Sequence, residues 1–181
     1  MLDRRRFLIA SLALAALPPL ARAARLRDAD GLSVVVDGAC SDVRHFTAQC
    51  TVTTGSVCDA VQVMTTLAAS EVRHCFGMSR DSQFFLIEQM ESELGYRLGY
   101  QGSHAYRDGT LRHRLSGAQG VLDTLAPQLR SAGAAWAAPL ARALPALVSD
   151  RSRSAEVELK VAAARPPDSA GYLVSWCLHR A

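Results

Sequence analysis

The Asp108-Gly109 pair constrains the fold more than any other part of the sequence. It lies between two runs in which polar and apolar residues alternate, within HAYRDGTLRHRL at 104–115. Aspartate and glycine both tolerate the positive φ angles that a two-residue hairpin turn requires. The sequence therefore predicts a β-hairpin here, and hairpins join strands that run antiparallel.

Six further segments have the composition of strands, with many β-branched and aromatic residues bounded by turn-forming ones. The last two, on either side of the RPPDSAG loop, are expected to pair with each other. The predicted strands lie at 31–40, 44–54, 83–90, 93–102, 155–164 and 171–179.

Two regions change to a helical period. Apolar residues recur every three or four positions near 57–74, which predicts one helix there. The region near 118–149 is rich in alanine and leucine but contains Pro127, Pro139 and Pro145, which favour two or three short helices. We therefore predict an α+β fold, a mostly antiparallel sheet with both helical regions packed on one face.

The first 23 residues, MLDRRRFLIASLALAALPPLARA, have the order of a secretory signal peptide: basic, then apolar, then small residues. The apolar run is shorter than the roughly 20 residues that span a bilayer. We expect residues 1–23 to be cleaved, which leaves a single globular domain at 24–181.

The stretch DRRRFLI resembles the twin-arginine export signal. Arg4 and Arg5 match the paired arginines, Phe7 and Leu8 match the apolar positions, and Ile9 replaces a frequent lysine. The resemblance implies that the protein folds before a receptor exports it. An ordinary, arginine-rich signal peptide is the alternative, and both predict a periplasmic or secreted protein.

Charge gives the mature domain no preference for anionic partners. The leader holds four of the chain's 20 basic residues and one of its 17 acidic residues, so 16 of each remain. A neutral domain gives no electrostatic reason to expect a nucleic acid partner. After residue 23 no apolar run is long enough to span a bilayer, so we expect no stable membrane insertion after cleavage.

The chain has five cysteines, and an oxidising compartment favours disulfides between some of them. The sequence predicts one or two bridges without giving the connectivity, with Cys40–Cys50 and Cys50–Cys58 both feasible. The odd number leaves at least one cysteine outside any bridge within the chain. The candidates are Cys40, Cys50, Cys58, Cys75 and Cys177.

Two weak patterns suggest chemistry at cysteine. His74, Cys75 and Met78 are all soft or intermediate metal ligands, so copper is one hypothesis, and core packing at a helix exit is the other. Cys58 in the first helical turn is a candidate nucleophile, with His45 or His74 as its base. Burial or a disulfide is the competing interpretation for Cys58.

The predicted hairpin is also a candidate ligand or partner site. It carries His104, Tyr106, Arg112 and Arg114, a set suited to an anion or to a protein partner. Alternation places the two arginines on one face and His113 on the other. A solvated hairpin with one wet face is the simpler explanation.

No motif identifies a reaction. The nucleophile elbow, the phosphate-binding loop, the dinucleotide fingerprint and the paired Cys-x-x-Cys spacing are all missing from the sequence. The first hypothesis is therefore an exported, non-catalytic binding or accessory protein for an unknown small ligand or protein partner, with no cofactor. A small thiol- or copper-dependent protein and a subunit of an exported complex are the alternatives.

Overall fold

The computed structural model describes residues 31–51, 54–56, 60–69, 72–150, 152–166 and 169–181. The predicted signal peptide at 1–23 and the candidate nucleophile Cys58 lie outside these residues. The helices and strands of the described part give an α+β fold, as predicted.

Seven strands form one mixed sheet in the order β2-β1-β3-β7-β4-β5-β6. The first three are parallel to one another, and every other neighbouring pair is antiparallel. The strands are β1 (Leu32–Val36), β2 (Thr54–Ser56), β3 (His74–Ser79), β4 (Tyr96–Arg107), β5 (Thr110–Ala118), β6 (Ser154–Ala162) and β7 (Tyr172–Arg180).

The helices of the described residues cover both faces of this sheet. Those on one face contribute Phe46, Leu125 and Leu140 to one core cluster. Those on the other face contribute Val63 and Phe84 to a second. The five α-helices are α1 (Arg44–Thr47), α2 (Ala60–Ala69), α3 (Asp81–Met90), α4 (Gln119–Ala132) and α5 (Ala137–Ser149).

The prediction that both helical regions share one face is wrong. The proline-containing region forms α4 and α5, which pack with α1 on the first face, whereas the helix predicted near 57–74 is α2 on the second. The reason is visible in β1, where all five residues are buried. A strand that is apolar on both faces must be covered on both.

The predicted hairpin is confirmed. Strands β4 and β5 pair from Gln101↔Ser116 to Arg107↔Thr110. Asp108 and Gly109 form the turn with φ angles of 50° and 69°. Positive φ at both central residues matches the twist of the two strands.

Three strand predictions need correction. Residues 44–47 and 81–90 form helices α1 and α3, so the strand predicted at 83–90 is a helix, and of the described part of 44–54 only Thr54 lies in a strand, β2. The segments near 155–164 and 171–179 do form β6 and β7, but they do not pair with each other. Instead β6 pairs with β5 at one edge of the sheet, and β7 lies between β3 and β4.

The helical predictions hold with different boundaries. The helix predicted at 57–74 is described at Ala60–Ala69, and His74 already belongs to β3. The 118–149 region divides into two α-helices, but the division lies at Gly133–Ala135 and not at a proline. Pro127 and Pro145 lie inside α4 and α5. None of the described helices is long and apolar enough to cross a membrane.

Candidate functional site

A crevice lies at the carboxyl ends of the parallel strands β1 and β3. It is shallow, with an enclosed space of about 10 Å³, which is room for one water molecule. The connection from β1 to β2 carries α1 on one face, and the connection from β2 to β3 carries α2 on the other. The two connections therefore diverge beside β1, and such a switch point is where open sheets of parallel strands bind ligands.

The lining of this β1–β3 crevice is apolar with a few polar groups. Val35, Val63 and Ile87 supply apolar surface, and Gln83 adds an amide. The Trp176 indole, also in the lining, donates a hydrogen bond to Ser79 Oγ at 3.2 Å. The lining has the composition of a small-molecule site, but the enclosed space is much smaller than the roughly 300–1,000 Å³ of such sites.

An arginine lies at the rim, held by a buried carboxylate. Arg80 Nε lies 3.2 Å from Asp37 Oδ2, with the Asp37 side chain 7% exposed and the Arg80 side chain 56% exposed. The other Asp37 oxygen accepts a hydrogen bond from the Ala39 N–H at 3.1 Å. Because Asp37 engages only one of the five guanidinium N–H groups, other donors remain for a ligand.

The Cys40 thiol completes this cluster. Burial raises its pKa, the hydrogen bond from Arg80 lowers it, and the nearby Asp37 carboxylate raises it further, with a net increase. The thiol is therefore protonated at neutral pH. A reactive cysteine requires the opposite shift, so these surroundings do not activate Cys40 as a nucleophile.

A second polar cluster is buried beneath α5. His104 and His113 are directly opposed on β4 and β5, with their Nδ1 atoms 2.7 Å apart. The other His104 nitrogen, Nε2, lies 2.8 Å from Ser175 Oγ on β7. The His104 ring also stacks on Trp136, with 4.0 Å between ring centroids.

The hydrogen bonds of this cluster favour one direction. Ser175 Oγ lies within reach of the Gly102 carbonyl at 3.4 Å and of the Tyr100 hydroxyl at 3.2 Å. If His113 donates to His104 and His104 donates to Ser175, every ring N–H has a partner. The reverse direction would bury a His113 Nε2–H that lacks one. We therefore assign both rings as neutral, with His113 donating.

Burial keeps both imidazoles uncharged. It lowers the pKa of His113 to about 4. Burial, followed by the proximity of His113, lowers the pKa of His104 well below its usual value. Two neutral rings can pass one proton between them, but neither reaches solvent, so the arrangement is structural.

Tyr106 and Trp136 extend this buried cluster toward Asp42. Burial, followed by the Asp42 carboxylate, raises the pKa of Tyr106, and the Trp136 indole opposes the rise. The net result is a pKa of about 12. The indole and the phenol do not form a hydrogen bond of good geometry. One Asp42 oxygen accepts from the Ala170 N–H at 3.2 Å.

A second histidine pair lies at the opposite end of the sheet. His74 on β3 and His179 on β7 are directly opposed, with their Nδ1 atoms 2.9 Å apart and their rings at 75°. The His179 ring occupies the space that a side chain at Gly99 would need. Glycine at the irregular Leu98–Tyr100 step therefore makes room for this imidazole.

The predicted copper ligands do not converge. His74, Cys75 and Met78 lie on one strand, where successive side chains point to opposite faces. Met78 belongs to the first core and Cys75 to the second, and burial raises the Cys75 pKa. His74 instead lies beside His179 of β7.

The hairpin candidates divide between the two faces. His104 and Tyr106 point into the first core region, whereas Arg112 and Arg114 are exposed on the other face. Arg114 lies 3.4 Å from Glu158 on β6. The four residues therefore do not form one site. His45, the candidate base, is exposed on α1.

No two cysteine sulfurs in the described part of the chain are at bonding distance. The predicted Cys40–Cys50 bridge is therefore not formed, and neither is any bridge from Cys75 or Cys177 to a described cysteine. Cys40 is a buried thiol at the crevice, and Cys75 and Cys177 are buried in the sheet. The Cys50–Cys58 alternative involves a residue outside the described range.

The local sequence pattern does not reveal the crevice cluster. Asp37 stands before Gly38, a pair typical of a turn, and Arg80 precedes a segment predicted as a strand. Recognising a parallel βαβ unit at 32–79 would have placed both residues at strand carboxyl ends. No sequence signal pairs His74 with His179, because 105 positions separate them.

Comparison of the chain with protein-family models, with curated proteins and with solved structures gave no match.

Proposed function

We propose that the mature chain is an exported, non-catalytic binding or accessory protein whose ligand binds over the mouth of the β1–β3 crevice. The observation that carries this proposal is an arginine fixed by a buried carboxylate at the rim of an apolar crevice. The ligand is a small molecule with an apolar portion and an anionic group. The anion contacts the remaining guanidinium donors of Arg80, and the apolar portion lies over the mouth of the crevice.

Ligand-induced stabilisation tests the proposal. The probes are small aliphatic and aromatic carboxylates together with their uncharged primary amides, added to the purified 24–181 chain. A bound ligand stabilises the folded state, so carboxylates and not amides should raise the thermal midpoint. Arg80→Gln should abolish the response.

Arg107→Gln is the matched control. Arg107 is also an exposed arginine whose Nε contacts a neighbouring carboxylate, 3.4 Å away on Asp108, but it lies on the hairpin. This variant should respond as the wild type does. The proposal fails if no carboxylate shifts the wild-type midpoint, or if Arg80→Gln and Arg107→Gln behave alike.

We also propose that residues 1–23 direct export through the twin-arginine route to the periplasm or beyond. The support is the Arg4-Arg5 pair followed by Phe7 and Leu8. Replacing both Arg4 and Arg5 by lysine keeps the charge and removes the pair. A reporter fused to the leader should then stay in the cytoplasm. Unchanged export of that variant would indicate the general secretory route.

Copper binding is the second candidate function, and the His74–His179 pair favours it. Two nitrogens that bind one ion at about 2.0–2.1 Å are roughly 2.9–3.4 Å apart for angles between 90° and 109°. The observed Nδ1 separation of 2.9 Å lies at the lower end of that range. Imidazole is a good ligand for copper. The thiol branch of the same alternative centres on Cys58.

Titration with Cu²⁺ tests this second candidate. His74→Ala and His179→Ala should each weaken stoichiometric binding, which calorimetry and electron paramagnetic resonance detect. His45→Ala is the control, because His45 is an exposed histidine on α1. Equal binding by all three variants would place the copper elsewhere and reject this candidate.

A further inference from the structure

The two edges of the sheet differ in length. The edge strand β2 has three residues, whereas β6 at the other edge has nine, from Ser154 to Ala162. Within the described residues β6 pairs only with β5, so its outer backbone groups have no strand partner. A long edge strand is a template for pairing with another chain.

The charges along β6 make it complementary to itself. Its exposed face carries Glu156, Glu158 and Lys160 at alternating positions. Two copies of β6 paired antiparallel about Leu159 bring each Glu158 opposite the Lys160 of the other copy. Opposite charges on directly opposed residues stabilise such a pair.

The same register matches the other face. Val157 and Val161, which are only partly buried, come opposite each other across the two copies, and Leu159 meets Leu159. Shifting the centre to Glu158 would bring Glu156 opposite Lys160 but would oppose two glutamates at the centre, and shifting it to Lys160 would oppose two lysines. Like charges in those positions are destabilising. Of these three registers, the one about Leu159 pairs opposite charges without opposing like charges.

This pairing also offsets a repulsion between like charges within each chain. Lys160 is directly opposite Arg112 on β5, so two positive charges share one cross-strand position. In the described residues Lys160 forms no ion pair, whereas its neighbour Glu158 contacts Arg114 at 3.4 Å. Glu158 of a second copy would provide Lys160 with the missing acidic neighbour. A solitary edge lysine normally prevents strand pairing, but a glutamate two residues away reverses that effect.

We propose that two copies of this chain dimerise through β6, about Leu159, into one continuous sheet. The interface is distinct from the β1–β3 crevice, because β6 and β1 lie at opposite sides of the sheet. The proposal therefore stands independently of the ligand.

Charge reversal provides the test, with the 24–181 chain measured by analytical ultracentrifugation. The wild type should dimerise. Lys160→Glu and Glu158→Lys should each raise the dimer dissociation constant about tenfold or more, because each opposes like charges at both contacts. Circular dichroism checks that each variant is folded.

Mixing the two variants is the decisive measurement. A Lys160→Glu chain has glutamate at both positions and a Glu158→Lys chain has lysine at both, so the two are complementary in the proposed register. Native mass spectrometry should show a heterodimer at concentrations where each variant alone is monomeric. Arg153→Glu is the control, because this exposed residue precedes β6, and it should leave the wild-type dimer intact.

The proposal is overturned if the wild type is still monomeric at about 100 µM or above, a concentration on the order of the dissociation constant of a weak interface. A dimer that persists in both single variants, or a mixture of the variants that stays monomeric, would overturn it as well.

Discussion

At the scale of single residues, the most unusual feature is two neutral histidines in direct contact inside the core. Both rings lie in the layer between the sheet and α5, with Trp136 stacked over His104. Their hydrogen bonds to each other and to Ser175 satisfy groups that would otherwise be costly to bury. Because burial disfavours the charged forms, the pair links folding to pH.

The sign of this linkage follows from His113. Its pKa is about 4 in the folded protein and about 6.5 when unfolded, so the unfolded chain binds the proton more tightly. The free energy of unfolding is therefore at its full value above pH 6.5, where this histidine is neutral in both states. It falls by roughly 3 kcal/mol as the pH drops toward 4, because the unfolded chain takes up the proton first. We expect His113→Leu to remove this part of the pH dependence of urea unfolding.

His45→Leu is the control for this prediction, since His45 is exposed. It should leave the pH dependence between 6.5 and 4 unchanged. If His113→Leu and the wild type lose the same free energy over that interval, His113 does not carry the linkage.

Gly77 gives a second prediction at this scale. A Cβ atom there would overlap the Trp176 indole, whereas at Gly117 the nearest atom, Tyr100 Cδ2, is 3.1 Å away. Overpacking in a core costs about 1–3 kcal/mol and sometimes more. We expect Gly77→Ala to lower the free energy of unfolding by at least about 3 kcal/mol, and Gly117→Ala by much less.

A double variant checks the cause. Trp176→Leu shortens the side chain that meets the new methyl group, so Gly77→Ala should cost less in that background. Urea unfolding of the four chains measures this coupling. Strictly additive effects would show that Gly77 is required for another reason.

At the scale of elements, the sequence predicts structure best where local chemistry decides it. The Asp108-Gly109 turn needs no tertiary contact to be recognised, and the hairpin forms as expected. Local chemistry does not decide the structure of the segment at 83–90, because its apolar run, Phe84 to Ile87, fits either a strand or a helix. Only Phe84 and Ile87 are buried, whereas Phe85 is 57% and Leu86 48% exposed, which is the pattern of a helix.

Local sequence patterns do not predict which distant strands pair with each other. The assignment of β7 to the middle of the sheet depends on β3, about a hundred residues earlier, and a local pattern cannot specify that partner. Both histidine pairs illustrate the difference. His104 and His113 lie on adjoining arms of one predicted hairpin, but His74 and His179 meet only after the whole sheet has formed.

The turn itself gives the prediction at this scale. Gly109 has φ = 69°, a conformation that costs a residue with a Cβ about 1–2 kcal/mol. Gly109→Ala should lower the free energy of unfolding by about 1 kcal/mol. Asp108→Asn should have little effect, because asparagine also tolerates φ = 50°. Urea unfolding compares the two, and equal stability of both variants would argue against backbone strain.

At the scale of the whole molecule, two cores on opposite faces of one sheet hold the described part of the chain together without a bridge between any two of its described cysteines. The larger core joins α1, α4 and α5 to the sheet, and the smaller joins α2 and α3. A domain of about 150 residues buries enough surface to be stable without disulfides.

This independence predicts the effect of a reductant on the mature chain. No two described cysteines are at bonding distance, so a Cys58→Ser variant of the 24–181 chain, whose remaining cysteines are all described, should have the same thermal midpoint with and without dithiothreitol. A fall of several degrees in that variant would contradict the prediction, because it would reveal a bridge that closes a loop and destabilises the unfolded chain. If the chain that keeps Cys58 responds to reductant, a response that Cys50→Ser and Cys58→Ser both remove, and Cys75→Ser retains, would identify a Cys50–Cys58 bridge.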